Sequence, residues 1–354
     1  MKGILLHAGH GTRLRPLTHT GPKQLLPIAN KPMSEYCIES MKDAGVTEIA
    51  IIIGGIGFNK VREYYGNGKK FNVKITYVKQ DEPLGISHAI NLCRTFIGDQ
   101  KFLVFLGDNI IQKNIYNFAN EFLNSNDDAS ILLCKVDNPS RFGIADMHEG
   151  KITKIMEKPK DPPTNFAVTG IYFLTPKIFD VIDNLKPSWR NELEITDALQ
   201  ILLENNNNIS YHIITDYWKD TGTPEDIINA NRAILQNKES YFYGEKSDSV
   251  SLTGIVLIGK GTKILGNSQI MGPVIVGENC ILDNVCIGPN SSIGNNSQIT
   301  NSDIQNSIVM SDCIINTSIK IRNSIISSNS KIEFKNNSQD EKIFLLGEGT
   351  KILL

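Results

Sequence analysis

The chain has 354 residues, of which 40% are hydrophobic and 21% are charged, and its formal net charge is −2. This composition is typical of a globular protein with two or three domains, and so small a charge gives no general attraction to nucleic acid or acidic membranes. No apolar run reaches the roughly 18–20 residues of a membrane helix, and the six cysteines form no C-x-x-C pair. We therefore expect a cytoplasmic protein with reduced thiols, no signal peptide and no zinc site.

A glycine-rich basic loop follows the first predicted strand, at residues 3–6. Glycines let backbone N–H groups approach an anion closely, and arginine and lysine add charged donors for phosphate oxygens. The spacing fits neither the P-loop nor the dinucleotide fingerprint, and a solvated surface turn is the plain alternative. The residues that we expect to cradle a polyphosphate are Gly9, Gly11, Thr12, Arg13, Arg15 and Lys23.

Strand and helix signals alternate up to about residue 238. This alternation predicts a Rossmann-like, mostly parallel α/β sheet with helices on both faces. Ligands of such sheets bind at the carboxyl ends of the strands, where the loops at 9–13 and 107–109 both fall. The predicted strands are 48–53, 73–78, 101–106 and 130–136, and the predicted helices are 33–44, ended by Gly45, and 86–93.

Two aspartates are candidate magnesium ligands. Asp108 follows an apolar strand, and Mg²⁺ favours one or two protein carboxylates together with substrate phosphates. Asp220 lies just before Thr223-Pro224, where it could instead belong to the N-cap region of a helix. Its pairing with Asp108 favours the metal interpretation.

Three further polar side chains extend the candidate site. Lys158 ends a predicted strand and is either solvated or directed at a second phosphate by Pro159, which leaves Glu157 to accept hydrogen bonds from sugar hydroxyls. Gln80 offers an amide suited to a base edge, although a surface loop residue is an equally good interpretation. No Gly-x-Ser-x-Gly elbow or Ser-His-Asp order is present, so we expect catalysis by positioning and charge neutralisation around two phosphate-bearing substrates.

From about residue 252 the chain carries a six-residue period of aliphatic residues. Such a period is typical of a parallel β-helix in which each aliphatic side chain points inward. We expect a nucleotidyltransferase domain at 1–238, a linker at 239–250 and the β-helix at 251–354, with capping strands in 342–354. The repeated positions are Leu252, Ile258, Ile264, Ile270, Ile281, Ile287, Ile293 and Ile299, continued less regularly by Ile308, Ile314, Ile319, Ile325 and Ile332.

Taken together, these motifs resemble the sugar-phosphate nucleotidylyltransferases, and among them the long-form glucose-1-phosphate thymidylyltransferases with a C-terminal left-handed β-helix. The family signature Leu-x-x-Gly-x-Gly-Thr-Arg-Leu-x-Pro is met at residues 6–16. The family usually has Ala-Gly-Gly where this chain has His7-Ala8-Gly9, so Ala8 must keep a negative φ or cost about 1 kcal/mol of strain. Further matching segments are 22–33, 107–109, 141–143, 157–159, 167–170, 192–197 and 218–222.

The resemblance implies a Mg²⁺-dependent in-line displacement in which glucose 1-phosphate attacks dTTP, giving dTDP-glucose and pyrophosphate. The implied catalytic residues are Arg13, Lys23, Asp108, Lys158 and Asp220, with Asp108 and Asp220 holding the metal. The implied nucleotide contacts are Leu6, Gly9, His10, Gly11, Thr12, Arg13, Lys23, Gln24, Gln80, Pro83, Gly85 and Asp108. The implied sugar-phosphate contacts are Asn109, Gly143, Glu157, Lys158, Val168, Tyr172 and Trp218.

Three alternatives remain open at this point. The nucleotide could be UTP, because a methyl group supplies only about 1–3 kcal/mol of discrimination. The β-helix could carry acetyltransferase activity, but that chemistry generally uses a histidine of the coil, and all six histidines precede the repeats. A non-catalytic scaffold would tend to lose the charged residues that this chain keeps. We expect a homo-oligomer that binds small molecules and neither nucleic acid nor membrane.

Overall fold

The computed structural model describes residues 1–9 and 11–333, so His10 and the predicted capping strands at 342–354 lie outside the described residues. The chain divides into two compact units. The first comprises Met1–Gly11, Thr20–Leu25 and Met33–Asp220, and the second comprises Thr12–His19, Leu26–Pro32 and the chain from Thr221 onward. The predicted boundaries at 1–238, 239–250 and 251–354 remain a prediction. Within the described part, no helix is long and apolar enough to cross a membrane.

The first unit is built on a mixed nine-stranded sheet. Its central strands run in the order β5, β4, β1, β6, and these neighbours are parallel; β11 then pairs antiparallel with β6 and joins β8 and β9 to the sheet. The strands up to residue 220 are β1 Lys2–Leu6, β2 Pro27–Ile28, β3 Lys31–Pro32, β4 Glu48–Ile53, β5 Lys74–Lys79, β6 Phe102–Leu106, β7 Asn109–Ile111, β8 Ala129–Lys135, β9 Gly143–His148, β10 Lys151–Glu157, β11 Phe166–Leu174, β12 Ile209–Ile214 and β13 Trp218–Asp220.

Helices cover both faces of this sheet because its central strands are apolar on both sides. Ile4 and Leu6 of β1 pack into one core, whereas Leu5 packs into the other. Helix α1 ends before Gly45, whose φ of +83° suits a residue without a Cβ atom. The helices are α1 Met33–Asp43, α2 Phe58–Tyr65, α3 Ile86–Asn91, α4 Arg94–Ile97, α5 Tyr116–Asn124, α6 Lys177–Ile182, α7 Ile195–Glu204 and, in the second unit, α8 Pro224–Gln236.

The predicted fold class is confirmed for both parts of the chain. In the first unit, each of the four predicted strands lies within one residue of an observed strand, and α1 and α3 occupy the predicted helices. The second unit continues into three sheets of short parallel strands, as a left-handed β-helix has. Two of these strands, β14 and β15, already lie in the segment expected to be a polar linker, where they pair with β17 and β18.

Each turn of the β-helix contributes one strand to each of the three sheets. Ile264, Ile270 and Ile299 are fully buried, and together with aliphatic residues of neighbouring coils they fill the interior. The strands are β14 Tyr241–Phe242, β15 Glu245–Lys246, β16 Ser251–Thr253, β17 Val256–Ile258, β18 Lys263–Leu265, β19 Gln269–Met271, β20 Val274–Val276, β21 Ile281–Asp283, β22 Cys286–Ile287, β23 Ser291–Ile293, β24 Gln298–Thr300, β25 Asp303–Gln305, β26 Ile308–Val309, β27 Ile314–Asn316, β28 Lys320–Arg322, β29 Ile325–Ile326 and β30 Lys331–Glu333.

The inward register was predicted wrongly at five positions: Ile281, Ile308, Ile314, Ile319 and Ile325. In their place, Leu282, Val309, Ile315, Ile321 and Ile326 belong to the interior of the coil. Ile281, Ile314 and Ile319 are 39%, 39% and 51% exposed. The physical reason is that the coils differ in length. Leu257 pairs with Ile275, eighteen residues later, but Ser292 pairs with Ile308, only sixteen residues later. A fixed six-residue count therefore loses the alternation between inward and outward side chains.

Asparagine residues form the corners of the coils. Non-glycine residues seldom adopt positive φ, and asparagine is among those that do so most readily. Eight asparagines of the β-helix have positive φ, and several of them donate hydrogen bonds to the corner of the next coil. The asparagine content of the repeats is thus explained by backbone conformation. These residues are Asn279, Asn284, Asn290, Asn296, Asn301, Asn306, Asn323 and Asn329.

Candidate active site

A partly buried ion pair lies at the carboxyl end of β6. The Lys23 ammonium, carried by a short 3₁₀ turn, donates to Oδ2 of Asp108. Burial opposes the charge of this carboxylate, yet its pKa lies below its usual range because of Lys23 and the hydrogen bond from Asn109. Asp108 is therefore an anion held in a partly buried position.

Asn109 fixes the orientation of Asp108. Its amide nitrogen donates to Asp108 Oδ1 at 2.9 Å, and its oxygen accepts from the indole of Trp218 at 2.9 Å and from the backbone N–H of Gly170 at 3.1 Å. A Cβ atom at residue 170 would lie 2.7 Å from the Asn109 nitrogen, so only glycine fits there. The polar groups of Asn109 and Trp218, both predicted to contact the sugar phosphate, thus contact each other, and that predicted role remains a prediction.

Of the two predicted metal ligands, Asp108 lies just before β7 and Asp220 is the last residue of β13. Strand β13 pairs antiparallel with β7, and this register places Asp220 opposite Asn109, the residue after Asp108. Two carboxylates suit Mg²⁺, which takes its other ligands from phosphates and water. Within the described residues, no group of three or more histidine, cysteine or acidic side chains could enclose a metal by itself. The carboxylates of Asp108 and Asp220 are of the kind that Mg²⁺ binds, and their metal role remains a prediction.

A second cluster gathers around the carboxylate of Glu157. A Cβ atom placed on Gly143 would lie 3.4 Å from Glu157 Oε2 and 3.8 Å from Val168 Cβ, so these three predicted sugar contacts do lie together. The hydroxyl of Thr196 donates to Glu157 at 2.9 Å, and the ammonium of Lys158 lies 3.3 Å from the same carboxylate. Glu157 is thereby fixed while the neighbouring lysine is partly exposed.

The predicted base-reading loop follows β5. Gln80 is almost fully buried, and its amide nitrogen donates to the carbonyl of Gly85 at 3.3 Å and contacts Nδ1 of His88 at 2.9 Å. Gly85 has a φ of +106°, and a Cβ atom there would lie 2.6 Å from the backbone of Leu193. The structure therefore brings Gln80 and Gly85 together, whereas Pro83 lies exposed between them.

The glycines of the first loop occupy conformations that L side chains rarely adopt, with φ of +129° at Gly9 and +57° at Gly11. Ala8 is not among the described residues with positive φ, so it fits without the strain considered above. His7 is fully buried, and burial lowers its pKa to about 3 against the opposing attraction of Asp108. Its imidazole is therefore neutral.

The other predicted residues lie in different surroundings. Arg13 and Thr12 are exposed in the second unit, where a Cβ atom at residue 222 would lie 3.3 Å from the Arg13 guanidinium nitrogens. Leu6 and Gln24 are buried in the first unit. Tyr172 is buried in the core of the sheet, and burial raises the pKa of its phenol.

Sequence reasoning assigned no role to three residues that the structure adds to these clusters. Arg190 contacts Glu157 at 3.5 Å, Glu194 at 3.3 Å and Glu192 at 3.1 Å. Thr196 contacts Glu157, and His88 contacts Gln80. The segment 192–197 belongs to a family motif, but only the folded chain shows which side chains of that segment reach Glu157.

Comparison with known proteins identifies the family of this chain. Residues 2–237 match the family model described as Nucleotidyl transferase, and the chain therefore belongs to that family. It is 47% identical over 255 residues to the low-salt glycan biosynthesis nucleotidyltransferase Agl11 of Haloferax volcanii, over 72% of this chain and 71% of that protein.

Two further matches have names that specify a reaction. A glucose-1-phosphate thymidylyltransferase of Streptomyces antibioticus is 40% identical over 277 residues, which are 78% of this chain and 77% of that protein. A Bacillus anthracis structure in complex with sucrose, assigned to the same activity, is 40% identical with a TM-score of 0.64, over 68% of this chain and 98% of that one. The resemblance inferred from the sequence is confirmed by these matches.

Proposed function

We propose that this protein transfers a thymidylyl group from dTTP to glucose 1-phosphate, giving dTDP-glucose and pyrophosphate. One observation carries the proposal: Lys23 pairs with Asp108 after β6, in a chain whose residues 2–237 belong to the nucleotidyl transferase family. The pairing of β13 with β7 places Asp220 opposite Asn109, the residue after Asp108. The glucose-1-phosphate thymidylyltransferase of Streptomyces antibioticus, 40% identical, supports the choice of substrates.

The chemistry requires little more than positioning and charge neutralisation. A sugar phosphate has a second pKa of about 6 and is largely dianionic at neutral pH, so its oxygen needs no general base. That oxygen forms a bond to the α-phosphorus of dTTP as the bond to pyrophosphate breaks. We assign Lys23 to the charge that develops on the phosphates, and the backbone N–H groups of Gly9 and Gly11 to the triphosphate. The roles expected of Thr12 and Arg13, which belong to the second unit, remain predictions.

The second cluster would bind the acceptor sugar. We assign Glu157, Gly143 and Val168 to the glucose hydroxyls and Lys158 to the sugar phosphate. A carboxylate that is already fixed by Thr196 and Arg190 can accept hydroxyl hydrogen bonds without reorganising, which favours one orientation of the sugar.

Asp108 and Asp220 would hold Mg²⁺. When bound, the ion would neutralise phosphate charge at this end of the sheet. The buried Asn109 amide keeps Asp108 oriented for that role. We further propose a cytoplasmic homo-oligomer, since all six cysteines are free, as a reducing compartment requires, and the flat faces of a β-helix can pack against another copy.

The test is pyrophosphate release from dTTP or UTP with a panel of sugar 1-phosphates, with and without Mg²⁺. We expect activity with dTTP and glucose 1-phosphate that EDTA abolishes. Asp108→Asn and Asp220→Asn should each fold and lose activity by about 100-fold or more, because a neutral amide binds Mg²⁺ weakly.

Asp183→Asn is the matched control, because that aspartate pairs with Arg94 on the surface of the first unit and should keep full activity. Full activity in the Asp108 or Asp220 variant would remove the metal role of that residue. Preference for UTP over dTTP would mean that UTP, and not dTTP, is the nucleotide substrate.

A further inference from the structure

Phe142 contacts both clusters of the candidate active site. It directly precedes Gly143, the first residue of β9, and its ring is partly buried against the same core as Trp218. The centroids of the Phe142 ring and the Trp218 indole are 5.8 Å apart, and the two rings meet edge to face at 62°. Aromatic rings favour this arrangement, so the contact holds the indole in one orientation.

The indole connects Phe142 to Asp108, a proposed metal ligand. Trp218 donates its indole N–H to Oδ1 of Asn109 at 2.9 Å, and the Asn109 amide donates to Oδ1 of Asp108 at 2.9 Å. The ring of Phe142 therefore packs on the first side chain of a series that ends at this carboxylate. A displaced indole would weaken the hydrogen bond that orients Asn109.

The backbone of Phe142 holds the sugar cluster. Its carbonyl accepts from the N–H of Lys158 at 3.1 Å, next to the pair that Gly143 forms with Glu157 in the β9–β10 ladder. Lys158 has a φ of +41°, which a residue with a Cβ atom seldom adopts, so this hydrogen bond helps to hold an unfavourable conformation. One residue thus contacts the indole through its ring and Lys158 through its carbonyl.

We propose that Phe142 is a positioning residue that sets the distance and direction between the sugar phosphate at Lys158 and the nucleotide phosphates near Asp108. An in-line displacement needs the attacking oxygen, the phosphorus and the leaving oxygen to be aligned, and a misplacement of about 1 Å can slow a reaction by about 100-fold. The inference rests on the proposed function and adds to it a residue that is assigned to neither substrate.

The experiment measures kcat and KM for dTTP and glucose 1-phosphate in two variants, per mole of folded protein. Phe142→Leu keeps the carbonyl but removes the ring, and we expect kcat to fall by about tenfold or more while both KM values stay within about twofold. Phe142→Tyr keeps the ring that meets Trp218, and we expect it to retain most of the wild-type kcat. A residue that only stabilised the fold would lower the melting temperature and leave kcat of the folded protein unchanged.

A double-mutant cycle tests whether Phe142 acts through the indole. Trp218→Phe keeps an aromatic ring but removes the N–H group that donates to Asn109. In that background we expect Phe142→Leu to lower kcat by no more than about threefold, because the hydrogen bond that it disturbs is already gone. An equal loss in both backgrounds would contradict the proposal.

Phe118→Leu is the matched control. Phe118 is also partly buried in the first unit, and its ring stacks on that of His212, a residue with no assigned role in the reaction. We expect this variant to keep the wild-type kcat.

The inference is wrong if folded Phe142→Leu keeps the wild-type kcat, if Phe142→Tyr loses as much as Phe142→Leu does, or if the loss appears only in KM for one substrate. Failure of the proposed function would look different, because the unaltered protein would then release no pyrophosphate from dTTP and glucose 1-phosphate. An active wild-type protein with an unchanged kcat in Phe142→Leu would refute only the role of Phe142.

Discussion

The two units of this protein differ in what their sequence patterns indicate about fold and function. In the sheet unit, the apolar strands build the fold and the chemistry lies in a few polar residues just beyond the strand ends, such as Asp108 after β6 and Gln80 after β5. In the β-helix, every coil repeats one local pattern, and within the described residues we assign none of its side chains to substrate. A regular spacing of aliphatic residues thus indicates a fold, whereas a polar residue just after an apolar strand indicates a candidate site.

The first prediction tests the repeated pattern of the β-helix by comparing an isoleucine that points inward with one that points outward. Ile299 is fully buried between Leu282 and Ile315 of adjacent coils. We expect Ile299→Ala to lower the free energy of unfolding by about 2–5 kcal/mol, since it leaves a cavity in a packed interior. Chemical denaturation followed by circular dichroism measures the change.

Ile281→Ala is the matched control, because this isoleucine is on the outer face and 39% exposed. It should cost less than about 1 kcal/mol. Equal losses in the two variants would mean that the inward register of the coils is not the one described here.

These two isoleucines also show what the sequence could predict and what it could not. The six-residue period identified the β-helix, because inward aliphatic residues recur at every strand. It assigned Ile281 to the interior wrongly, because the coil from Ile270 to Ile287 has seventeen residues instead of eighteen, and only strand pairing reveals that shift.

In the sheet unit the same contrast appears at the site. Asp108 could be proposed from sequence because it follows an apolar strand, and Asp220 because it could supply a second carboxylate. The partners that orient the predicted residues could not be proposed from sequence. The contact between Thr196 and Glu157 spans 39 residues, and that between Asn109 and Trp218 spans 109. Such contacts depend on the sheet order and leave no local pattern.

A second prediction concerns a buried polar residue in the second unit. Asn231 of α8 is fully buried, and its oxygen accepts from the Ala29 N–H at 2.8 Å and from the Ser292 hydroxyl at 2.6 Å. Its nitrogen donates to the Asn290 carbonyl at 3.0 Å. Asn231→Ala would leave two buried groups and the partly buried Asn290 carbonyl without their partner, and we expect it to lower the free energy of unfolding by about 1–3 kcal/mol.

Asn237→Ala provides the control for this change, because Asn237 ends the same helix on the surface. It should shift the free energy of unfolding by no more than about 0.5 kcal/mol. If the two asparagine variants unfold at the same denaturant concentration, the hydrogen bonds of Asn231 do not stabilise the second unit. The stability of that unit would then come from the packing of its aliphatic side chains.

The smallest expected effect tests the polar contacts of the sheet unit. Thr196→Val keeps the methyl group that packs beside Gly143 but removes the hydroxyl that donates to Glu157. Arg190 and Lys158 still hold the carboxylate, so the loss should be about 1 kcal/mol, seen as a rise of roughly fivefold in KM for glucose 1-phosphate with kcat and KM for dTTP unchanged. Thr175→Val removes an equivalent hydroxyl that donates to the Asp128 carbonyl, away from the site, and should leave both KM values unchanged. A rise in KM for dTTP rather than for the sugar would place Glu157 against the nucleotide, and the division of the site into base, phosphate and sugar clusters would have to be redrawn.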